Sequence, residues 1–214
     1  MAIKTLEDKF QHELGDIYDA EHQFLEMQQQ VLPKVSSPQV TRLLEQHIKQ
    51  TEQQITVLEQ AFAALGVEAK RVKCQGATGI VTENKKTLKD VSSDPMLVDL
   101  AIAGGSAKVE HYEISVYRGL VAGAEAMGQT KVMKLLQRNL AQEEQTAAKI
   151  EQSIPKLLQQ AVKNAGSATS GKKATSAKGR TSAKGVSNTS NSTTDAASQT
   201  DEVESAMVAT TGQA

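Results

Sequence analysis

Only four prolines interrupt the 214 residues, and three of them, Pro33, Pro38 and Pro95, stand at seams between long stretches with helical apolar spacing. Thr5 with Asp8 three residues on is a helix-start signal, and the helix it opens is predicted to run until Pro33. Ser37-Pro38 and Asp94-Pro95 each pair an N-cap residue with proline at the first helical position, opening a second and a third long helix. Gly66 closes the second, and the third is predicted to end near Gly123. Gly128 then precedes a fourth helix, capped by Thr130 and running to about Lys163, which Pro155 is expected to kink or cut short. Residues 75–90 read as a short helix inside the long connection between the second and third. Helices of about 25–30 residues are about 40 Å long and suit a four-helix bundle. So long a connection also allows the second and third helices to lie parallel.

The polar residues within the apolar stripes carry the functional signal. On a wheel of about 100° per residue, Leu6, Phe10, Leu14, Ile17, Phe24, Leu25, Val31 and Leu32 form the apolar face of the first helix. Glu21 falls near its middle, Glu13 at its side and Asp16 on its edge, while Asp19 and Glu26 are expected to point to water. The second helix places His47, Thr51 and Gln54 on its apolar face, with Gln50 at the margin. The third is apolar over about half its circumference, with Ser106, Glu110, Glu113 and Tyr117 running between its two apolar flanks and His111 turned away. In the fourth, Glu143 sits at the centre of the apolar face beside Asn139 and Thr146. Each long helix therefore turns a potential ligand inward: Glu21, His47, Glu110 with Glu113, and Glu143. Four inward carboxylates cannot all ionise in a dry core without cations between them. A His and carboxylates projecting from four helices form the site chemistry of di-iron and di-manganese bundles. A hydrogen-bonded set of buried acids without metal is the competing reading.

Composition narrows the remaining choices. There are no Trp, three Phe and three Tyr, too few for an aromatic β core or for stacking of bases. The lone Cys74 excludes a disulfide framework and a cysteine-rich metal site, and it reads as a small buried hydrophobe. No Gly-x-Gly-x-x-Gly, P-loop or Gly-x-Ser-x-Gly sequence is present, and Gly104-Gly105 reads as permitting a close helix crossing. No apolar run approaches the roughly 18 residues that span a bilayer, and the start lacks the apolar core of a signal peptide, so a cytoplasmic protein without a membrane partner is expected. From residue 164 to 214 the chain is rich in Ser, Thr, Ala, Gly and Lys, including TSAKGRTSAKG (175–185), and is expected to be a disordered tail after a bundle of residues 1–163. Lys172, Lys173, Lys178, Arg180 and Lys184 precede the acids Asp195, Asp201, Glu202 and Glu204. That polarity suits either a nucleic-acid or acidic-partner contact or a solubilising tail.

The stretches TLEDKFQHELGDIYDAEHQ (5–23), HIKQTEQQI (47–55), KCQGATGIVTENKKTL (73–88) and KVEHYEISVYRGL (108–120) resemble the YciE/YciF family of bacterial ferritin-like proteins. The similarity covers residues 4 to about 160 in order and spacing. It implies an all-α, ferritin-like four-helix bundle with a short extra helix, a homodimer, and an association with general stress responses. Asp16, Tyr18, Glu21, His47, Thr51, Gln54, Glu110, His111, Tyr112, Glu113 and Glu143 fall on positions that the family pattern favours. Gln50 stands where relatives commonly carry Glu, and Ala147 where they carry an acid. The Glu-x-x-His motif of wider di-iron bundles is replaced here by Glu143-Gln-Gln-Thr146. Three functions remain open: a di-iron or di-manganese oxidoreductase acting on a small oxidant, a non-catalytic stress protein with an incomplete site, and a DNA- or partner-binding module that uses the tail.

Overall fold

Local sequence sets the ends of each helix. In α1 (Leu6–Val31) the Thr5 hydroxyl accepts from the Asp8 amide at 3.0 Å, and the Asp8 carboxylate accepts from the Thr5 amide at 3.1 Å. This reciprocal capping box satisfies donors that the first turn leaves open. A single 3-10 turn, Leu32–Lys34, carries Pro33 and ends the rod. In α2 (Pro38–Leu65) Ser37 supplies the extended cap backbone while its side chain makes no capping bond; Gly66, with φ of 73°, turns the chain out at the other end. α3 (Gln75–Asp90) starts at Cys74, whose Sγ accepts from the Ala77 amide at 3.3 Å. In α4 (Pro95–Ala126) Asp94 Oδ1 accepts from the amides of Met96 and Leu97.

The computed structural model describes residues 3–175. Two boundaries differ from the sequence reading. α4 continues past Gly123 to Ala126, and it is Gly128, with φ of 67°, that reverses the chain. α5 (Thr130–Thr175) takes Thr130 into its first turn and passes through Pro155 without stopping. Pro155 removes one amide donor, yet it and Glu151, whose carbonyl loses that donor, are both exposed, so water can replace the missing bond. α5 also runs beyond residue 163 into the segment assigned to the tail, and residues 176–214, with most of the tail's bases and all of its acids, lie outside the described residues.

Side-chain contacts fix the directions. Tyr18 meets Glu59 and Gln28 meets Thr51, so α1 and α2 run antiparallel. Gly123 lies against Phe10 while Tyr112 packs edge-on against Phe24, so α4 also runs antiparallel to α1. Arg118 pairs with Glu144 and His111 with Glu151, reversing α5 relative to α4. α2 and α4, each antiparallel to α1, are therefore parallel to each other, the arrangement that the long connection allows. α3 covers the outside of α1 and α4 within that connection. Leu14, Ile17, Phe24, Leu58, Tyr117, Leu120, Leu136 and Leu157 are fully buried between the four long helices. Leu6 is the exception on its stripe and stays exposed in the first turn of α1.

The connection before α3 explains a misreading of the wheel. Asp19 does not face water: it is buried and accepts from the Cys74 amide at 2.9 Å, Arg71 Nε at 2.8 Å and Gln23. Burial raises its pKa, but these three donors more than offset that and hold the carboxyl below the usual range. The connection reaches α1 because Gly15 has no side chain. Val72 N donates to Gly15 O at 3.0 Å, and a Cβ on Gly15 would stand 2.7 Å from Val72 Cγ2 and 2.8 Å from the Lys70 carbonyl oxygen. A backbone carbonyl cannot yield as a flexible side chain does. Gly15→Ala is expected to destabilise the protein by about 1–3 kcal/mol, read as a lowered urea midpoint; an unchanged midpoint would refute the close-approach argument. Gly105 plays the same part for α3, where a Cβ would meet Asn84 Oδ1 at 2.1 Å, whereas Gly104 faces open space and is not needed for the crossing.

Candidate metal centre

The inward-facing residues of the wheel meet at mid-bundle. Glu21, Glu110, Glu113 and Glu143 are wholly buried, and His47 is 2% exposed. α1 supplies Glu21, α2 His47, α4 the two glutamates one turn apart, and α5 Glu143. His47, Glu110, Glu113 and Glu143 each offer a ligand atom within 4.8 Å of the others. His47 Nδ1 lies 3.1 Å from Glu110 Oε1, and Nε2 lies 3.9 Å from Glu143 Oε2. Glu21 is outside this group of four but borders it, within hydrogen-bonding reach of Glu113.

A shell of neutral polar residues surrounds the acids. Tyr117 donates to Glu21 Oε1, and Gln54 Nε2 donates to Glu143 Oε1. Asn139 Nδ2 donates both to the Tyr117 oxygen at 3.0 Å and to the Gln54 carbonyl at 3.2 Å. On the other side, Gln28 Nε2 lies 3.3 Å from both His47 Nδ1 and Thr51 Oγ1. Gln28 is 2% exposed and escaped the sequence reading, although it stands two turns after Glu21 on the same helix face. Thr146 donates to Gln50 Oε1 at 3.2 Å, so the amide in place of a glutamate is bonded to a hydroxyl at the margin of the site, and Ala147 is buried. His111 is exposed and paired with Glu151, away from the cluster as expected. Tyr112 and Asp16 also lie outside it: the Tyr112 hydroxyl is 2.9 Å from Cys74 Sγ and 3.4 Å from Asp16 Oδ2.

This shell does not satisfy the acids. Both oxygens of Glu110 and of Glu113, one each of Glu21 and Glu143, and His47 Nε2 are buried without a hydrogen-bond partner. Burial, reinforced by the neighbouring carboxylates, pushes Glu21, Glu110 and Glu113 well above the usual carboxylate range. Burial also raises Glu143, to about 7, against the neighbouring Glu110 carboxyl and the hydrogen bond from Gln54, which favour its charged form. His47 is lowered to about 4 by burial and stays neutral at pH 7. Among the described residues no Lys or Arg pairs with these acids. An unprotonated imidazole and several oxygen donors, converging and unpartnered, are a donor set for a metal ion, and oxygen with one imidazole suits iron or manganese. The residues fit such an ion, and the group of four can hold one.

Comparison with known proteins bears on the whole bundle. The sequence pattern of the family described as a domain of unknown function (DUF892) matches residues 5–163. Protein YciF of Escherichia coli strain K12 is 31% identical over 151 residues, which cover 70% of this chain and 90% of that protein. The crystal structure of the E. coli stress protein YciF superposes with a TM-score of 0.69 at 29% identity, covering 73% of this chain and 99% of the other. YcfI from Rhodopseudomonas palustris gives a TM-score of 0.68 at 32% identity, covering 70% and 94%. A Xanthomonas campestris protein at 20% identity, with a TM-score of 0.60 over 75% and 98%, shares the fold.

Proposed function

Since the chain belongs to the DUF892 family, the family of YciF, we propose that it is a stress-protection protein whose bundle core holds iron or manganese through Glu21, His47, Glu110, Glu113 and Glu143. The observation that carries this reading is the set of unpartnered buried oxygens facing an uncharged imidazole. Without a cation the acids must take up protons to stay buried, and the surrounding amides do not relieve them. Bound iron or manganese would supply one-electron chemistry toward oxygen or peroxide. The chain's own part is to hold the ions away from bulk water, to keep His47 neutral, and to fix single oxygens of Glu21 and Glu143. Stress protection rests on the likeness to YciF, and a homodimer in the cytoplasm completes the proposal. Among the described residues no helix is long and apolar enough to cross a membrane.

The deciding measurement is metal content. The full chain, stripped with chelator and loaded anaerobically with Fe(II) or Mn(II), should retain about two ions after desalting. A folded protein retaining none would overturn the metal reading. A second reading, a non-catalytic stress protein with an incomplete site, is favoured by Gln50 and Ala147, which put a neutral amide and a methyl group beside the cluster. It predicts ions well below one per chain and no consumption of peroxide. Neither reading involves nucleic acid; a tail-borne contact would appear as binding that falls steeply with salt.

A further inference from the structure

The four buried glutamates are not equivalent. Glu110 and Glu113 receive no hydrogen bond from the Tyr, Gln and Asn side chains around them, whereas Glu21 and Glu143 each have one oxygen so engaged. The engaged oxygens are held from different helices: Glu21 Oε1 by the Tyr117 phenol of α4, and Glu143 Oε1 by the Gln54 amide of α2. One residue joins these two restraints. Asn139, wholly buried and one turn before Glu143 on α5, donates from a single nitrogen to the Tyr117 oxygen and to the Gln54 carbonyl. With its oxygen accepting from Asn139, the Tyr117 hydroxyl turns its hydrogen to Glu21. With its carbonyl tied to Asn139, Gln54 is fixed on α2 where its side-chain amide meets Glu143.

We infer that Asn139 is a positioning residue that limits Glu21 and Glu143 to one metal-ligating oxygen each, acting through Tyr117 on the first and through Gln54 on the second. This rests on the metal reading above and goes beyond it by assigning roles to residues outside the donor set. Glu21 lies outside the group of four that contains His47 and Glu143, so in a core holding two ions the two restraints would bear on different ones. Tyr117 would then act on the ion held with Glu21, Gln54 on the ion held with Glu143 and His47, and Asn139 on both.

The test is a Mn(II) titration of the full chain, with free ion followed by electron paramagnetic resonance, on wild type, Tyr117→Phe, Gln54→Met and Asn139→Ala. Tyr117→Phe and Gln54→Met keep side-chain volume and remove only the restraint, and urea midpoints are recorded for all four. Each of these two is expected to weaken one of two ions by about 10–100-fold and leave the other unchanged; Asn139→Ala weakens both. A merely structural role would lower the urea midpoint without singling out one ion. Unchanged affinities, or equal loss of both ions in Tyr117→Phe and Gln54→Met, would overturn the inference even if Asn139→Ala failed to fold. A wild type that holds one ion would overturn it while keeping the metal reading, and a wild type that holds none would overturn both.

Discussion

Glu113→Gln is expected to stabilise the metal-free protein at pH 7.5 while abolishing its retention of Fe(II) or Mn(II). Glu113 is wholly buried, neither of its oxygens receives a hydrogen bond from the surrounding amides and hydroxyls, and its pKa is pushed well above the usual range by burial and by Glu143, Glu21 and Glu110. The metal-free fold therefore favours its protonated form, whereas in the unfolded chain at pH 7.5 it is ionised. Holding that proton costs folding free energy as the pH rises above the unfolded pKa, at about 1.4 kcal/mol per unit. Glutamine has nearly the same shape, carries no charge to neutralise, and adds an amide donor beside Glu21. A gain of about 1–3 kcal/mol follows, or about 2–4 °C in Tm for each kcal/mol. At pH 5 the wild-type protonation cost nearly vanishes, and so should the gain. Metal content and thermal melts of chelator-treated protein check both halves. A variant that still carries wild-type metal would remove Glu113 from the donor set. One that is less stable than wild type at pH 7.5 would mean that the carboxylate makes a favourable interaction in the metal-free core.

The second large effect is a reversed pH dependence of stability. Metal-free protein should lose stability as pH rises from about 5 to 8, and metal-loaded protein should not. The four buried glutamates have folded pKa values above the ordinary 4.5, Glu143 at about 7 and the others well above 4.5. Above pH 4.5 the native state thus binds more protons than the unfolded state, and stability falls with pH. The Glu143 contribution is complete near pH 7, and the other three, raised well above 4.5, act in the same direction. His47 works the other way: lowered from 6.5 to about 4, it makes stability rise with pH between those values and offsets about one carboxylate. His22, lowered by partial burial and by Arg71, acts in the same direction. The net fall is therefore steepest above pH 6.5, at about 1.4 kcal/mol per pH unit for each excess proton held. Asp19, held below its ordinary value, acts below pH 4 and does not enter this window. Metal displaces the protons, so loaded protein should hold or gain stability over the same range. Urea denaturation at pH 5.5, 6.5, 7.5 and 8.5 gives the slope directly. A metal-free protein whose stability rises through that range would contradict the protonated-core account.

The contrast between Glu113 and Asp19 shows how far a single helix can be read. A carboxylate at the centre of an apolar stripe must face the bundle whatever its neighbours do, because a rotation that exposed it would also expose Leu14, Ile17 and Phe24 or their counterparts. Glu21, His47, Glu110, Glu113 and Glu143 were visible for that reason, as were the Thr5 and Asp94 caps, the αL turn at Gly66 and the short helix at residues 75–90. Asp19 lies on the opposite face, and a wheel has no means of knowing that the connection through Arg71 and Cys74 crosses it. Pro155 likewise carries a rule about its own helix, and whether the rule ends the helix depends on which side meets water.

The helices, their apolar faces and the acids that turn inward follow from the 3.6-residue period and from capping groups within a few residues, all of which act along one stretch of chain. Which of those acids meet depends on how the helices pack. Four helices can rotate and slide by a fraction of a turn while keeping the same faces buried. Only their packed register sets Glu21 apart from the group of four, brings Gln28 to His47, and ties Asn139 on α5 to Tyr117 on α4 and Gln54 on α2. Those contacts join residues far apart in the chain, and their distances depend on every side chain packed between the helices.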